Sequence, residues 1–232
     1  MDYVALTRES IFEFEDLYNK YLNPLIRLLK LFKEGNIQIP FRYYFYKDKD
    51  SKFLAKCNYL APILDHEKYR IERKEIPVLK KFIETVKLPL KDDNLELAFE
   101  NFELSYEVSN LNLKFLSLMN GMEVLFNPSD QELRYRISRN LAVLLGKDKE
   151  ESQDYFKQMR KLYDKRSKIV HTGKAEINQD DVLKLRGYVR DSIKAFLILN
   201  MSKDDILPLL NSSGFGENLI ENFNNRLKKM NI

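Results

Sequence analysis

The sequence predicts a mainly α-helical fold: an antiparallel helical bundle preceded by a helical N-terminal region with room for one small β-hairpin. Two observations predict this fold class. Apolar residues recur every three or four positions along most of the chain, which is the spacing of one helical face. Only 7 Gly and 7 Pro occur among 232 residues, too few for an all-β fold built on tight turns.

Composition and charge exclude several classes of protein. The hydrophobic (44%) and charged (32%) fractions are ordinary for a soluble helical protein, and the net charge of +4 does not by itself indicate a nucleic-acid partner. The single Cys57 excludes an internal disulfide and a Cys-based zinc site, and the two histidines lie too far apart in sequence to suggest a His-rich metal site. No signal-peptide pattern is present, and no apolar run nears the ~20 residues that span a bilayer. We therefore expect a cytoplasmic protein without metal, cofactor or membrane partner.

Residues 1–90 are the predicted N-terminal region, whose role no residue reveals. Residues 9–34 have helical spacing, and Pro24 is placed to begin a second helix because proline is tolerated in a first turn. Residues 37–60 change to β-forming types around a charged turn, which predicts a small hairpin. Its aromatic residues suit stacking on nucleic-acid bases, but packing inside the fold is the commoner use. A proline and a polar run near residue 90 mark the join to the second region, residues 91–232.

The second region is predicted to be a succession of capped amphipathic helices. In chain order these are a helix capped by Asn94, a helix over 113–126, a helix opened by the capping-box pattern Ser129-x-x-Glu132 and ended by Gly146, a helix over 149–171, a long helix capped by Asn178 and a short helix opened by Ser202-x-x-Asp205. Short connections between such helices favour an antiparallel bundle, here over about residues 94–200.

The helix predicted over 149–171 carries the residues most suggestive of chemistry. Its apolar residues form one stripe that faces a core: Phe156, Met159, Leu162, Tyr163, Ile169 and Val170. Arg166 falls on the same stripe, where a charge is costly unless a partner neutralises it. His171 follows five residues later, near the helix end that Gly173 marks. Five residues span roughly 140° on an ideal helix, so the two side chains flank one edge.

Four segments of the second region occur in a recognisable order and spacing. They are residues 95–99, 116–126, 132–146 and 166–171, the last being an Arg, four residues and a His near a helix end. This ordered set resembles the HEPN domain family, in particular its Apea-like branch, over about residues 94–200. The resemblance implies a helical bundle that cleaves RNA as a two-fold homodimer without a metal. It also implies a role in prokaryotic defence or as a toxin.

The residue types suit RNA cleavage by attack of the ribose 2′-OH. Such a site needs a base for the 2′-OH proton, an acid for the leaving oxygen and a cation for the crowded phosphorane. Histidine suits the first two roles and arginine the third, because a guanidinium stays charged and matches phosphate oxygens. We assign catalysis to Arg166 and His171, and RNA binding to Lys165, Ser167 and Lys168. One copy supplies half of such a site, so we expect a homodimer that binds RNA, with a cognate regulator or antitoxin as a further partner.

Two other interpretations stay open. One is a non-catalytic HEPN module that dimerises or binds RNA on behalf of a partner protein. The other is a plain helical interaction domain. In the plain interaction domain the two residues are structural: Arg166 pairs with Asp164 or with a buried acid such as Glu123, and His171 caps helix carbonyls. The basic residues between 157 and 174 are then only the usual bias of cations toward helix C-termini.

Overall fold

The computed structural model describes residues 18–37, 41–47, 53–59, 69–86, 92–127, 132–173 and 176–222. The chain forms two compact units, residues 1–84 and residues 85–232. The sequence predicts this join near residue 90, a few positions later. None of the described helices has the length and apolar character needed to cross a membrane.

The described part of the first unit contains helices at both ends. A π-helical turn, Tyr18–Leu22, leads into α1, Asn23–Phe32, and Pro24 lies in the first turn of that helix as predicted. A 3-10 turn, Arg73–Glu75, precedes α2, Ile76–Thr85.

A two-stranded antiparallel hairpin lies between these helices. Strand β1 is Phe41–Lys47 and strand β2 is Phe53–Tyr59. Phe41 stands opposite Tyr59 at one end of the ladder, and Lys47 stands opposite Phe53 at the other. The hairpin falls within the β-forming segment 37–60, and its predicted charged turn lies outside the described residues.

Polar contacts join α1 to the segment before α2. Lys33 Nζ contacts both carboxylate oxygens of Glu75, at 2.7 and 2.9 Å. The Tyr69 hydroxyl donates to the carbonyl of Leu29 at 2.7 Å. Burial of this hydroxyl, with Glu75 adding to it, raises the pKa of Tyr69 to about 12, so the phenol keeps its donor proton at physiological pH.

The second unit is a helical bundle, as the sequence predicts. Its helices are α3 (Asp93–Glu107), α4 (Leu111–Phe126), α5 (Leu133–Leu145), α6 (Lys149–Thr172), α7 (Gln179–Leu199) and α8 (Lys203–Ser212). The most extensive helix pairs are α3 with α4 and α5 with α6, while α4 also packs on α7. Residues between successive helices are few, which keeps sequence neighbours adjacent in space.

Aromatic side chains fill much of the bundle core. Phe99, Phe102 and Tyr106 of α3 are fully buried, and the Phe102 and Tyr106 rings meet edge to face with centroids 5.4 Å apart. Phe126 of α4 makes a similar contact with Phe196 of α7 at 6.0 Å. Each such ring removes a large apolar area from water, so these residues account for much of the stability of the bundle.

Two predicted helix starts are wrong in detail. Asp92, not Asn94, caps α3, because its carboxylate accepts from the N–H of Leu95 at 2.9 Å and from the N–H of Lys203 at 3.0 Å. Helix α5 begins one residue after Glu132, which adopts a left-handed conformation (φ 56°) and makes no side-chain cap. Glu132 is therefore the N-cap and not the third helical residue that the capping-box pattern requires. Ser129 lies outside the described residues.

The other predicted caps are confirmed. Asn178 and Asp181 form a reciprocal capping box at the start of α7. The Ser202 hydroxyl accepts from the N–H of Asp205 at the start of α8. Both satisfy N–H groups that a helix leaves unpaired in its first turn.

Helix α6 has well-defined ends and a partly covered stripe. Asp148 caps its start, and Gly173 ends it in the left-handed conformation (φ 64°), donating its N–H to the carbonyl of Ile169. Met159 and Leu162 are buried as predicted, but Val170 is 53% exposed. The stripe prediction is therefore wrong for Val170, because the final turn of α6 lies at the protein surface.

Candidate functional site

The predicted arginine forms an ion pair with an acid on a neighbouring helix. Arg166 Nε lies 3.1 Å from Glu123 Oε1, and its Nη2 donates to Glu123 Oε2 at 3.3 Å. The two side chains are only 23% and 20% exposed. Glu123 belongs to α4, so the pair joins α4 to the C-terminal half of α6. This is the pairing with a buried acid that the sequence predicts if Arg166 has a structural role.

Burial makes the Glu123 carboxyl a weaker acid. It raises the pKa of the Glu123 carboxyl, and the Arg166 guanidinium, which lowers that pKa, offsets only part of the effect. The guanidinium also lies 5.7 Å from the centroid of the Tyr163 ring. Burial, followed by the Glu123 charge, raises the pKa of Tyr163. The three side chains therefore form one half-buried cluster around Arg166.

The predicted histidine lies on the surface. His171 is exposed in the last turn of α6, together with Lys168, Val170 and Thr172. Among the described residues it has no hydrogen bond to a helix carbonyl, so the predicted capping role is not what this structure shows. The Thr172 hydroxyl instead donates to the carbonyl of Lys168 at 2.7 Å. No hydrogen bond or ion pair joins His171 to Arg166.

The residues predicted to bind RNA differ in their surroundings. Lys168 is exposed, and Ser167 is half-buried. Lys165 Nζ lies 2.5 Å from Asp181 Oδ2, an oxygen that also accepts from the N–H of Asn178. Lys165 therefore already has an acidic partner at the start of α7, and its part in RNA binding stays a prediction.

A pocket on the same helix was not predicted from the sequence. It has a volume of about 470 Å³ and is lined by Glu132, by Leu133, Arg134 and Tyr135 of α5 and by Phe156, Arg160 and Tyr163 of α6. We call it the aromatic pocket. The sequence did carry one usable signal, the spacing of Phe156, Arg160 and Tyr163 on one helical face. It gave no sign that this face packs against the first turn of α5.

Two further arginines stabilise the bundle. Arg139 donates to the carbonyls of Leu210, Asn211 and Ser213, which satisfies the end of α8. Arg186 is fully buried, donates to Ser105 and stacks on the Tyr106 ring with 4.0 Å between guanidinium carbon and centroid. These arginines are structural parts of the bundle.

Within the described residues, no group of three or more His, Cys, Asp or Glu side chains is placed to hold a metal ion. Comparisons with protein-family models, with curated proteins and with solved structures find no match to this chain.

Proposed function

We propose that this protein is a metal-independent endoribonuclease of the HEPN type that acts as a homodimer. The observation that supports this most is the end of α6, where an exposed His171 follows a half-buried Arg166 on a basic helix. A reacting imidazole must reach solvent and substrate, whereas a phosphate-binding guanidinium gains from being held in place. The exposure of the two residues matches these different needs.

The reaction is an internal transfer of phosphate. An imidazole takes the proton of the ribose 2′-OH, the 2′-oxygen forms a bond to phosphorus, and the bond from phosphorus to the 5′-oxygen breaks. A second acid protonates that 5′-oxygen. The products are a 2′,3′-cyclic phosphate and a 5′-OH, and no electrons leave or enter.

Arg166 keeps donors available for the phosphate. Glu123 faces its Nε and Nη2, and Nη1 has no hydrogen-bond partner among the described residues. Glu123 therefore fixes the guanidinium from one edge and leaves another edge for phosphate oxygens. Its carboxylate need not be displaced for RNA to bind.

A second copy supplies the second acid. One chain offers one His171, whereas the reaction needs a base and an acid at once. Two-fold symmetry places the same residues opposite each other, and the exposed Val170 beside His171 offers apolar contact area for such an interface. A cognate regulator or antitoxin, and a role in prokaryotic defence or as a toxin, belong to the same proposal.

One observation favours a second candidate. The Arg166–Glu123 pair gives the arginine a structural use that needs no catalysis. The second candidate is therefore a non-catalytic HEPN module that dimerises or binds RNA for a partner protein.

Cleavage of total RNA in EDTA separates the two. We expect wild-type protein to fragment the RNA, and Arg166→Ala and His171→Ala each to abolish fragmentation. Lys161→Ala, which removes an exposed charge from the same helix, is the matched control and should cleave. Intact RNA with every protein, or a loss of folding by Arg166→Ala, would favour the second candidate.

A further inference from the structure

The aromatic pocket presents the exposed ring of Tyr135 beside the half-buried ring of Phe156 and the buried ring of Tyr163. The Tyr135 side chain is 52% exposed and meets Phe156 edge to face, with centroids 5.9 Å apart and planes at 81°. Phe156 in turn packs on Phe215 at 5.7 Å. Phe156 is thus held from two sides, while Tyr135 keeps area in contact with solvent. A volume of about 470 Å³ lies within the roughly 300–1,000 Å³ of small-ligand pockets.

The charged residues that line the pocket are two arginines, Arg134 and Arg160, and one acid, Glu132. The Arg160 guanidinium lies 5.4 Å from the centroid of Phe156 and forms no ion pair with any carboxylate that the structure describes. Arg134 Nη2 donates to Asp164 Oδ2 at 2.5 Å, but its Nε is buried and has no hydrogen-bond partner among the described residues.

We propose that the aromatic pocket binds one unpaired base of single-stranded RNA, with Tyr135 stacking on the base and Arg160 contacting the adjoining phosphate. An aromatic face accepts any base, and a guanidinium supplies the charge that the backbone requires. This inference rests on the proposed function, since it names where that site holds its substrate.

Tyr163 connects the aromatic pocket to Arg166. The Tyr163 ring lines the pocket, and the guanidinium of Arg166 lies 5.7 Å from the same ring. A nucleotide held in the pocket therefore lies next to the cluster around Arg166, and the following phosphate can extend toward the exposed end of α6.

The test measures binding to two RNA probes, with His171→Ala as the starting protein so that RNA stays intact. The probes are a fluorescent 12-nucleotide oligoadenylate and the duplex it forms with oligouridylate, followed by anisotropy. We expect Tyr135→Ala to weaken binding of the single strand about 10-fold and to leave duplex binding unchanged, because paired bases are not available for stacking. Tyr135→Phe keeps the ring and should bind as the starting protein does.

The charge is tested with a matched pair of variants on α6. Arg160→Ala should weaken binding of both probes, because both carry phosphates, while Lys161→Ala, which lies outside the pocket, should have a smaller effect. Tyr135→Leu retains apolar contact with Phe156 and removes the stacking face. If Tyr135→Ala folds poorly, Tyr135→Leu takes its place, and it should show the same loss of single-strand binding.

The outcomes separate this inference from the proposed function. Equal affinity of Tyr135→Leu and the starting protein for the single strand overturns the inference, even if wild-type protein cleaves RNA. If Tyr135→Leu loses the dimer but keeps its RNA affinity, the inference is also overturned, since the pocket then takes a protein side chain. A Tyr135-dependent preference for the single strand supports it, and failure of wild-type cleavage would then reject only the nuclease activity.

Discussion

Burial and pairing act in opposite directions on the carboxylate beside Arg166. Burial raises the pKa of Glu123, and the guanidinium lowers it by less. An ion pair with such a balance fixes geometry and contributes little net stability. Its value here is that it holds Arg166, on the last third of a long helix, at a constant position relative to α4.

Glu123→Gln tests which effect prevails. A group whose pKa is raised on folding stabilises the protein below its unfolded pKa, and the contribution is lost as pH rises through the folded pKa. The unfolding free energy of wild-type protein should therefore fall relative to that of Glu123→Gln as pH rises from about 4, the ordinary range of a Glu carboxyl, toward 7. Urea denaturation across this range measures the difference. A difference that instead grows in favour of the wild type would mean that the ion pair outweighs burial.

Lys168 and Lys165 should respond differently to salt. Lys168 is exposed, so Lys168→Ala should weaken RNA binding and reduce the slope of log affinity against log salt by about 0.7, as for one lost phosphate contact on a single strand. Lys165 is already neutralised by Asp181, so Lys165→Ala should change the slope less. Fluorescence anisotropy at several salt concentrations measures the slope for each variant. Identical slopes would contradict the assignment of a stronger phosphate contact to Lys168 than to Lys165.

Helix ends in this bundle depend on contacts between elements. The carboxylate of Asp92 caps α3 and also accepts the N–H of Lys203 at the start of α8. Partial burial opposes ionisation, but these hydrogen bonds prevail and hold the pKa of Asp92 below its ordinary value. One side chain thus joins the starts of α3 and α8.

Asp92→Ala should destabilise the second unit by about 1 kcal/mol or more, the usual cost of a lost N-cap. Because its pKa is lowered on folding, the contribution is present above the unfolded pKa of about 3.9 and is lost as pH falls below it. The gap between wild type and variant should therefore close in acid. Asp93→Ala, which removes a neighbouring exposed charge, is the control and should cost less. A gap that stays constant down to pH 3 would show that the charge of Asp92 plays no part.

The start of α3 also shows the limit of prediction from sequence. Asp92, Asp93 and Asn94 are all good capping residues, so local chemistry does not choose among them. The choice falls on Asp92, which also accepts the N–H of Lys203, a contact between residues more than a hundred positions apart. By contrast, α6 was predicted nearly to the residue, because Gly173 acts locally at its C-terminal end.

The candidate site was predictable in part. Arg166 on the apolar stripe required a partner, and Glu123 was among the acids considered. The aromatic pocket was not predictable, because it depends on how the first turn of α5 is rotated against α6. Sequence periodicity defines the face of one helix but not which face of another helix it meets.

The proposed homodimer depends on residues at the end of α6. One chain carries one half-buried Arg166 and one His171, and the last turn of α6, which bears His171, is exposed. Symmetry doubles both residues without any further catalytic group. The exposed Val170 lies next to His171, so association through this surface would bring the two imidazoles to the same interface.

Val170→Asp should convert the protein to monomer and abolish RNA cleavage, because a charge in an apolar contact must be desolvated. Light scattering at tens of micromolar protein measures the mass. Leu113→Asp is a matched control, since Leu113 is 55% exposed on α4 and should leave both mass and cleavage unchanged. A wild-type protein that is already monomeric at these concentrations would contradict the dimer.

The chemistry of the cut ends tests the central claim most directly. Total RNA is incubated with wild-type protein in EDTA, and the ends of the fragments are identified. Attack by the 2′-OH predicts 2′,3′-cyclic phosphates and 5′-OH ends, with none produced by His171→Ala. Fragments that carry 5′-phosphates, that appear only with added magnesium or that persist with His171→Ala would contradict the account.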